Sequence, residues 1–267
     1  PGFVVQMAGL LRRKSPPTAR DVEDHFDGNL CRCTGYRPIL AAMRSFAGDE
    51  SAARAGAGLP PSAAWLGAAR PLHFSSGEYE WIRPNTLADV FPLLTRFGDD
   101  PRQVKLVHGN TSAGIYKRSV EDPRLLIDVS QLPELSRFER TEAGLRIGAA
   151  TTLAALHALL ERSIEAVPAD RAAGLCMLRD HLLRIANVQV RAVASLAGNI
   201  MLVVHRVRAG SPFPSDLVTL LVALGAEAVL DVVKPEPHEV RCSVESLVTS
   251  PPRVPFVLRS LLIPEAQ

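Results

Sequence analysis

Two short stretches of this 267-residue chain mix glycine with hydroxyl and amide side chains in a way that suits an anion. The first is Leu106-Val107-His108-Gly109-Asn110-Thr111-Ser112-Ala113-Gly114, entered from a run, Val104 to Val107, with apolar residues at alternate positions. It reads as a strand that delivers backbone amides at a turn. Gly109 and Gly114 allow positive φ and a close approach of main chain to ligand, while Asn110, Thr111 and Ser112 add side-chain donors. A diphosphate suits such a bend. The spacing is neither G-x-G-x-x-G nor the Walker pattern, so an ordinary polar loop is the competing reading. The second stretch, Ala194-Ser195-Leu196-Ala197-Gly198-Asn199-Ile200, is again a Ser/Gly/Asn turn entered from an apolar segment. Two such turns imply one elongated ligand gripped at two points.

Two thiols form a separate candidate. Cys31 and Cys33 sit one residue apart in Gly28-Asn29-Leu30-Cys31-Arg32-Cys33-Thr34-Gly35-Tyr36-Arg37-Pro38-Ile39, on a tight turn whose amides and arginine would stabilise thiolate charge. A C-x-C pair does not easily bridge to itself, so metal ligation explains it better than a disulfide. Two thiolates are half a site, because iron-sulfur clusters and structural zinc usually take four ligands. Cys176 and Cys242 lie in apolar runs and read as small core residues. His157 and His181 have no partner at metal spacing and are assigned no chemistry. Asp216 precedes a helical run, where it either caps the helix or offers its carboxylate to the hydroxyls of a ligand.

The bulk properties bound what could carry these groups. The length and a 47% hydrophobic content allow one large or two modest globular domains. Thirty basic against 28 acidic residues give +2 with no long single-sign run, so neither nucleic acid nor an acidic membrane is an expected partner. The apolar stretch Leu217 to Ala226 is too short to cross a bilayer. The chain opens on Pro1 with no secretory signal, and reads as truncated at its start; with the cysteine usage this implies a reduced, cytoplasmic setting.

Helical periodicity spans residues 3 to 14, with Ser15-Pro16-Pro17 as its stop; Thr18 caps a second helix running to Phe26, and a third covers Ile39 to Phe46. Between Gly48 and Ala69 the composition shifts to Ala, Gly, Ser and Pro, an interdomain linker that Trp65 would pin to a surface. Beyond it come a strand at Tyr79 to Pro84, a helix capped by Thr86 from Leu87 to Phe97, the strand Val104 to Val107 and a strand Arg124 to Val129, together a small β-α-β unit. A strand at Leu145 to Gly148, a helix from Thr152 to Leu160 and a helical stripe from Ala172 to Ile185 lead to the second turn. A basic loop, His205 to Gly210, comes next, then a helix Leu217 to Leu224 and strands Glu227 to Val233, Val240 to Val244 and Phe256 to Ile263.

The cysteine stretch Gly28 to Ile39 resembles the C-terminal half of the helical 2Fe-2S domain of molybdenum hydroxylases, the xanthine dehydrogenase and aldehyde oxidase family. Pro1-Gly2-Phe3-Val4 is similar to the segment directly after the other cysteine pair of that cluster, which places the missing thiols just before residue 1. Residues 77 to 264 resemble the family's flavin domain, a vanillyl-alcohol-oxidase-like FAD fold. The implied architecture is α+β: residues 1–47 a part of the helical 2Fe-2S domain, 48–76 a linker, and 77–267 an FAD-binding domain of two α/β subdomains, 77–132 and 133–267.

By this resemblance Leu106, Val107, His108, Gly109, Asn110, Thr111, Ser112 and Ala113 would surround the FAD diphosphate. Ser195, Leu196, Ala197, Gly198 and Asn199 would make a second FAD contact, Asp216 a third, and Leu258 would touch the flavin. Cys31 and Cys33 would be two of four 2Fe-2S ligands. Ile185 stands where xanthine dehydrogenases carry a phenylalanine, so stacking there is lost, and Ala197 stands where the family pattern has glycine, which narrows the backbone. The run Phe213-Pro214-Ser215-Asp216 is similar to aldehyde oxidases. The family likeness implies an oxidoreductase that passes electrons from 2Fe-2S to noncovalent FAD and on to dioxygen or NAD, homodimeric when whole, with molybdopterin and substrate chemistry outside these residues. A xanthine dehydrogenase piece, or a noncatalytic remnant serving as an interaction module, is the alternative.

Overall fold

The computed structural model describes residues 1–14, 16–48, 70–97, 103–113, 123–169, 171–211 and 214–265. Trp65, Gly114, Phe213 and most of the expected linker lie outside these residues. Contacts divide the chain into two units, 1–68 with 186–189, and 69–185 with 190–267.

In the first unit α1 (Gly2–Arg13), α2 (Ala19–Asp24) and α3 (Arg37–Arg44) bury one small core of Met7, Leu10, Leu11, Val22 and Met43. Arg12 and Arg13 end α1 at the negative pole of its dipole. Thr18 caps α2 as expected, and Asp21 completes a capping box by accepting from the Thr18 amide at 2.7 Å.

The second unit holds two sheets. The four-stranded one has the order β1-β2-β4-β3, with β1 (Leu72–Ser76), β2 (Tyr79–Arg83), β3 (Val104–Val107) and β4 (Leu125–Asp128). β1 and β2 form an antiparallel hairpin around Gly77, whose φ of 62° suits glycine. β2, β4 and β3 run parallel, so the expected β-α-β unit forms, with β4 inserted between its two strands. The connecting helix α4 (Leu87–Leu94) is capped by Thr86 but stops short of Phe97, because Pro92 removes an amide and crowds the preceding turn. β1 falls inside the span read as linker. Its alternation is muted, since only Leu72 is even half-buried, and its pairing with β2 supplies what the sequence pattern lacks.

The five-stranded antiparallel sheet has the order β5-β6-β9-β7-β8: β5 (Phe138–Thr141), β6 (Gly144–Gly148), β7 (Glu227–Val232), β8 (His238–Ser243) and β9 (Phe256–Ile263). Helices α5 (Leu153–Ile164), α6 (Ala173–Leu182), α8 (Leu196–Arg208), α9 (Asp216–Ala223) and α10 (Val244–Thr249) accompany it, while the single turn α7 (Val188–Arg191) has its first two residues in the first unit. A large apolar core includes Leu145, Leu156, Leu178, Ile200, Leu221, Leu230 and Leu261. Cys176 and Cys242 pack against that core, as expected of small apolar residues. β5 escaped the pattern because its residues are largely exposed at the sheet edge. Val244, read as the end of a strand, instead begins α10, for which Ser243 is the cap.

The basic stretch from His205 is not a loop. Ile200, Val203 and Val204 carry a buried helical stripe straight through it, and no glycine or proline intervenes before Arg208. His205, Arg206 and Arg208 therefore form the last turn of α8, where cations complement the dipole.

Candidate functional site

β3 is an edge strand, and it hands the chain to the first bend at His108. Asn110 adopts φ 48°, a left-handed conformation that asparagine tolerates better than most residues, and the Ala113 amide closes the turn on the Asn110 carbonyl at 3.2 Å. The amides of Asn110, Thr111 and Ser112 donate to no acceptor among the described residues. They are the free donors that an anion requires.

The bend is fastened to the segment before α8. His108 Nδ1 lies 2.9 Å from the Val193 carbonyl oxygen and 3.0 Å from the Gly109 amide. Protonated, it donates to the carbonyl; unprotonated, it accepts from the amide. A Cβ at Gly109 would stand 2.3 Å from the same oxygen, so only glycine permits this approach.

The second stretch is a helix start rather than a turn. Ser195 caps α8 by accepting from the Gly198 amide at 3.0 Å. The Leu196 and Ala197 amides donate to the Thr151 and Ala149 carbonyls, both at 2.9 Å. These donors are committed to the protein, so the two stretches are unequal: one offers free amides, the other a finished wall. Ala197 is helical and needs no positive φ, which removes the backbone concern raised by its methyl group.

Leu106, Val107, His108, Ser195, Ala197, Gly198 and Leu258 line one cleft that is partly open to solvent. Gly109, Asn110, Thr111, Ser112 and Ala113 are not among its lining residues, nor are Leu196, Asn199 and Asp216. Leu196 is fully buried in the core. Asn199 Oδ1 accepts from Ser215 Oγ at 2.6 Å, and Ser215, not Asp216, is the cap of α9. Asp216 is the first residue of that helix, 78% exposed, its carboxylate 3.8 Å from His181 Nε2. Ile185 packs against the large core.

The cavity also has residues that the sequence pattern did not single out: Lys105, Met201, His205, Arg208 and Arg253. Once 196–208 is a helix, positions 198, 201, 205 and 208 share one face, and that spacing was the available signal. The Arg208 guanidinium sits 5.6 Å over the Phe256 ring and donates to the Pro252 carbonyl. Burial lowers its basicity.

At the other candidate, Cys31 Sγ lies 3.3 Å from Thr34 Oγ1. Hydrogen bonds from the Thr34 hydroxyl and from the Cys33 and Thr34 amides lower the Cys31 pKa, the condition a thiolate ligand needs. Cys33 is exposed. Among the described residues no group of three or more His, Cys, Asp or Glu could hold a metal ion.

The sequence profile of the FAD binding domain in molybdopterin dehydrogenase matches residues 77–262, which is most of the chain. The chain belongs to that family. A 2Fe-2S binding domain profile matches residues 1–44, ahead of the FAD-binding domain. The chain is 33% identical over 85% of its length to xanthine dehydrogenase of Drosophila pseudoobscura pseudoobscura, covering 19% of that protein. It is 30% identical over 99% of its length to indole-3-acetaldehyde oxidase of Arabidopsis thaliana, covering 21% of it. It thus spans about a fifth of these relatives. CO dehydrogenase from Oligotropha carboxidovorans shares the fold, with a TM-score of 0.55 and 23% identity over 73% of this chain and 62% of that one.

The mixed α/β unit with a helical segment before it agrees with the expected fold class. The cleft of this domain is lined mostly by apolar residues of β3, α8 and β9. Among the described residues no helix is long and apolar enough to cross a membrane.

Proposed function

We propose that this chain is the electron-transfer part of an aldehyde oxidase-like molybdenum-flavin oxidoreductase. It would take electrons from a 2Fe-2S cluster onto FAD and pass them to dioxygen or NAD. The observation that carries the reading is the cleft that joins the His108 bend to the start of α8, beside three amides with no acceptor among the described residues.

The residues divide the work. Asn110, Thr111 and Ser112 amides would bind the FAD diphosphate, while Gly109 and His108 hold that bend against Val193. Ser195, Ala197, Gly198 and Leu258 would form the wall along the cofactor. Asn199 is pinned by Ser215 and would orient the start of α9, from which the exposed Asp216 carboxylate is free to turn toward a ribityl or ribose hydroxyl. Cys31 and Cys33 would supply two cluster ligands, with the Thr34 hydroxyl and nearby amides favouring thiolate over thiol. FAD, when bound, supplies a carrier that exchanges electrons singly or in pairs, and the protein sets its position and electrostatics. The remaining two thiols, the molybdopterin site, the homodimer contact and a cytoplasmic setting belong to the proposal for the whole enzyme.

Domain limits of 1–47 for the cluster-side part and 77–267 for the FAD part accompany the same reading. A second reading, a xanthine dehydrogenase, is favoured by the greater identity to the fly enzyme; the Phe213-Pro214-Ser215-Asp216 run supports the aldehyde oxidase side. Reconstitution with FAD tests the common core. A yellow protein with one tightly held FAD per chain is expected, and a folded, colourless chain that gains no flavin absorbance rejects it.

A further inference from the structure

Nδ1 of His108 stands between two backbone groups that make opposite demands on it. The Val193 carbonyl oxygen, 2.9 Å away, needs a proton on that nitrogen, and the Gly109 amide, 3.0 Å away, needs a lone pair. One nitrogen cannot serve both at once. With Nδ1 bare, the Gly109 N–H is taken by the ring and the Val193 oxygen faces a lone pair; among the described residues no other donor reaches that oxygen. With Nδ1 protonated, the ring fastens the bend to Val193, and the Gly109 amide is released beside the amides of Asn110, Thr111 and Ser112, which have no acceptor among the described residues. An imidazolium carries a proton on Nδ1 by necessity, whereas a neutral ring divides its single proton between two nitrogens.

The charged groups around the ring give it no acidic partner. Lys105 on β3, His205 and Arg208 on α8, and Arg253 ahead of β9 line the cleft with His108, and among the described residues no carboxylate does so. On β4, Asp128 lies across from Val107, but its carboxylate accepts from Arg83 and from the Ser130 amide. Arg191, two residues before Val193, is buried with its guanidinium donating to the Leu183 and Ile185 carbonyls. The counter-charge for a positive ring is one that arrives with the ligand. We propose that His108 is a proton-dependent positioning residue: on gaining a proton it closes the bend on Val193 and adds the Gly109 amide to the anion-binding donors, so that protonation and anion binding reinforce one another. The inference rests on the reading of this bend as the FAD diphosphate position and adds its regulation.

Sulfate, whose charge stays constant between about pH 8 and about pH 5.5 where an imidazole takes up its proton, probes the bend in the full chain. Binding is read from the amide NMR signals of Asn110, Thr111 and Ser112. Wild type should bind sulfate about three- to tenfold more tightly at the lower pH, the worth of one added hydrogen bond. His108→Asn carries a side-chain N–H at the same bond position as Nδ1 and donates to Val193 at any pH, so it should bind as tightly as acidified wild type with no pH response. His205→Gln should keep the response. If His108→Asn does not fold, the wild-type signals decide, because the Gly109 amide must move together with the His108 ring nitrogens as pH falls. Absence of sulfate binding, equal affinity at the two pH values, a response that survives in His108→Asn or vanishes in His205→Gln, weak binding by His108→Asn at both pH values, or a Gly109 amide indifferent to the ring overturns the inference. A chain that shows the sulfate response but takes no FAD defeats the flavin reading alone, and one that binds FAD without the response defeats this inference alone.

Discussion

Replacing Gly109 by alanine probes the contact that brings the two stretches together. The added methyl would lie 2.3 Å from the Val193 carbonyl oxygen, 2.7 Å from its carbon and 2.9 Å from its Cβ. Two of these are backbone atoms that no rotamer change can move. The bend must retreat by about 1 Å to restore ordinary contact distances, which also strains the 2.9 Å approach of His108 Nδ1 to the same carbonyl. Overpacking of this kind costs about 1–3 kcal/mol, and a lost hydrogen bond adds about 1 kcal/mol. The total of about 2–4 kcal/mol corresponds to a fall in Tm of about 5–12 °C for a unit of this size. Differential scanning calorimetry of the chain, with FAD retention measured on the same samples, reads both consequences. Gly109 does not require positive φ, so backbone strain does not contribute to the expected loss. A shift below about 2 °C with FAD binding intact would show that the bend and the Val193 segment are not fastened together, and the reasoning fails.

Three further outcomes rest on single contacts. Gly9→Ala meets nothing within 4 Å and lies inside α1, so it should stabilise the helical unit by about 0.5–1 kcal/mol, visible as a raised urea midpoint. Ser195→Ala removes the cap of α8 and should cost about 1 kcal/mol in thermal unfolding while freeing the Gly198 amide; an unchanged Tm contradicts the cap. At Asp128 burial raises the carboxyl pKa, but hydrogen bonds from Ser130 and the Arg83 guanidinium at 2.9 and 3.0 Å outweigh it and leave the net shift downward. Its stabilisation is therefore complete above the unfolded value of about 4 and disappears as pH falls through the lower folded value. Asp128→Asn should be less stable than wild type by about 1–3 kcal/mol at pH 7, with the difference shrinking on acidification below about pH 4; a constant difference would refute the coupling.

Much of the fold was legible where one local signal had no competitor. Thr18, Thr86 and Thr152 announced their helices because each side chain accepts from an amide three residues on, a contact that depends on nothing distant. β9 was legible from its length and its run of buried apolar residues. β1 and β5 were not, since both depend on partners: β1 on the hairpin with β2, and β5 on its edge position against β6. The Cys31 turn was readable as chemistry because thiols at that spacing have few structural uses. In the fold, hydrogen bonds from Thr34 and Cys33 lower the Cys31 pKa.

The site itself was half legible, and the reason lies in Ser195. In the sequence, Ser-x-x-Gly-Asn reads as a bend because glycine and asparagine usually break a helix, and the histidine and arginines beyond it then read as a loop. In the fold, the Ser195 hydroxyl satisfies the Gly198 amide, and the Ala149 and Thr151 carbonyls satisfy the Ala197 and Leu196 amides. These bonds keep the helix going through two poor helix formers. Once α8 is continuous, its apolar stripe is buried in the large core and its other face lines the cleft. One hydroxyl thus decides both that the second stretch has few free donors and that Arg208 arrives at the far end of the same cavity. In the folded chain the amides of the second bend are committed to the protein, and those with no acceptor among the described residues are the Asn110, Thr111 and Ser112 amides of the first.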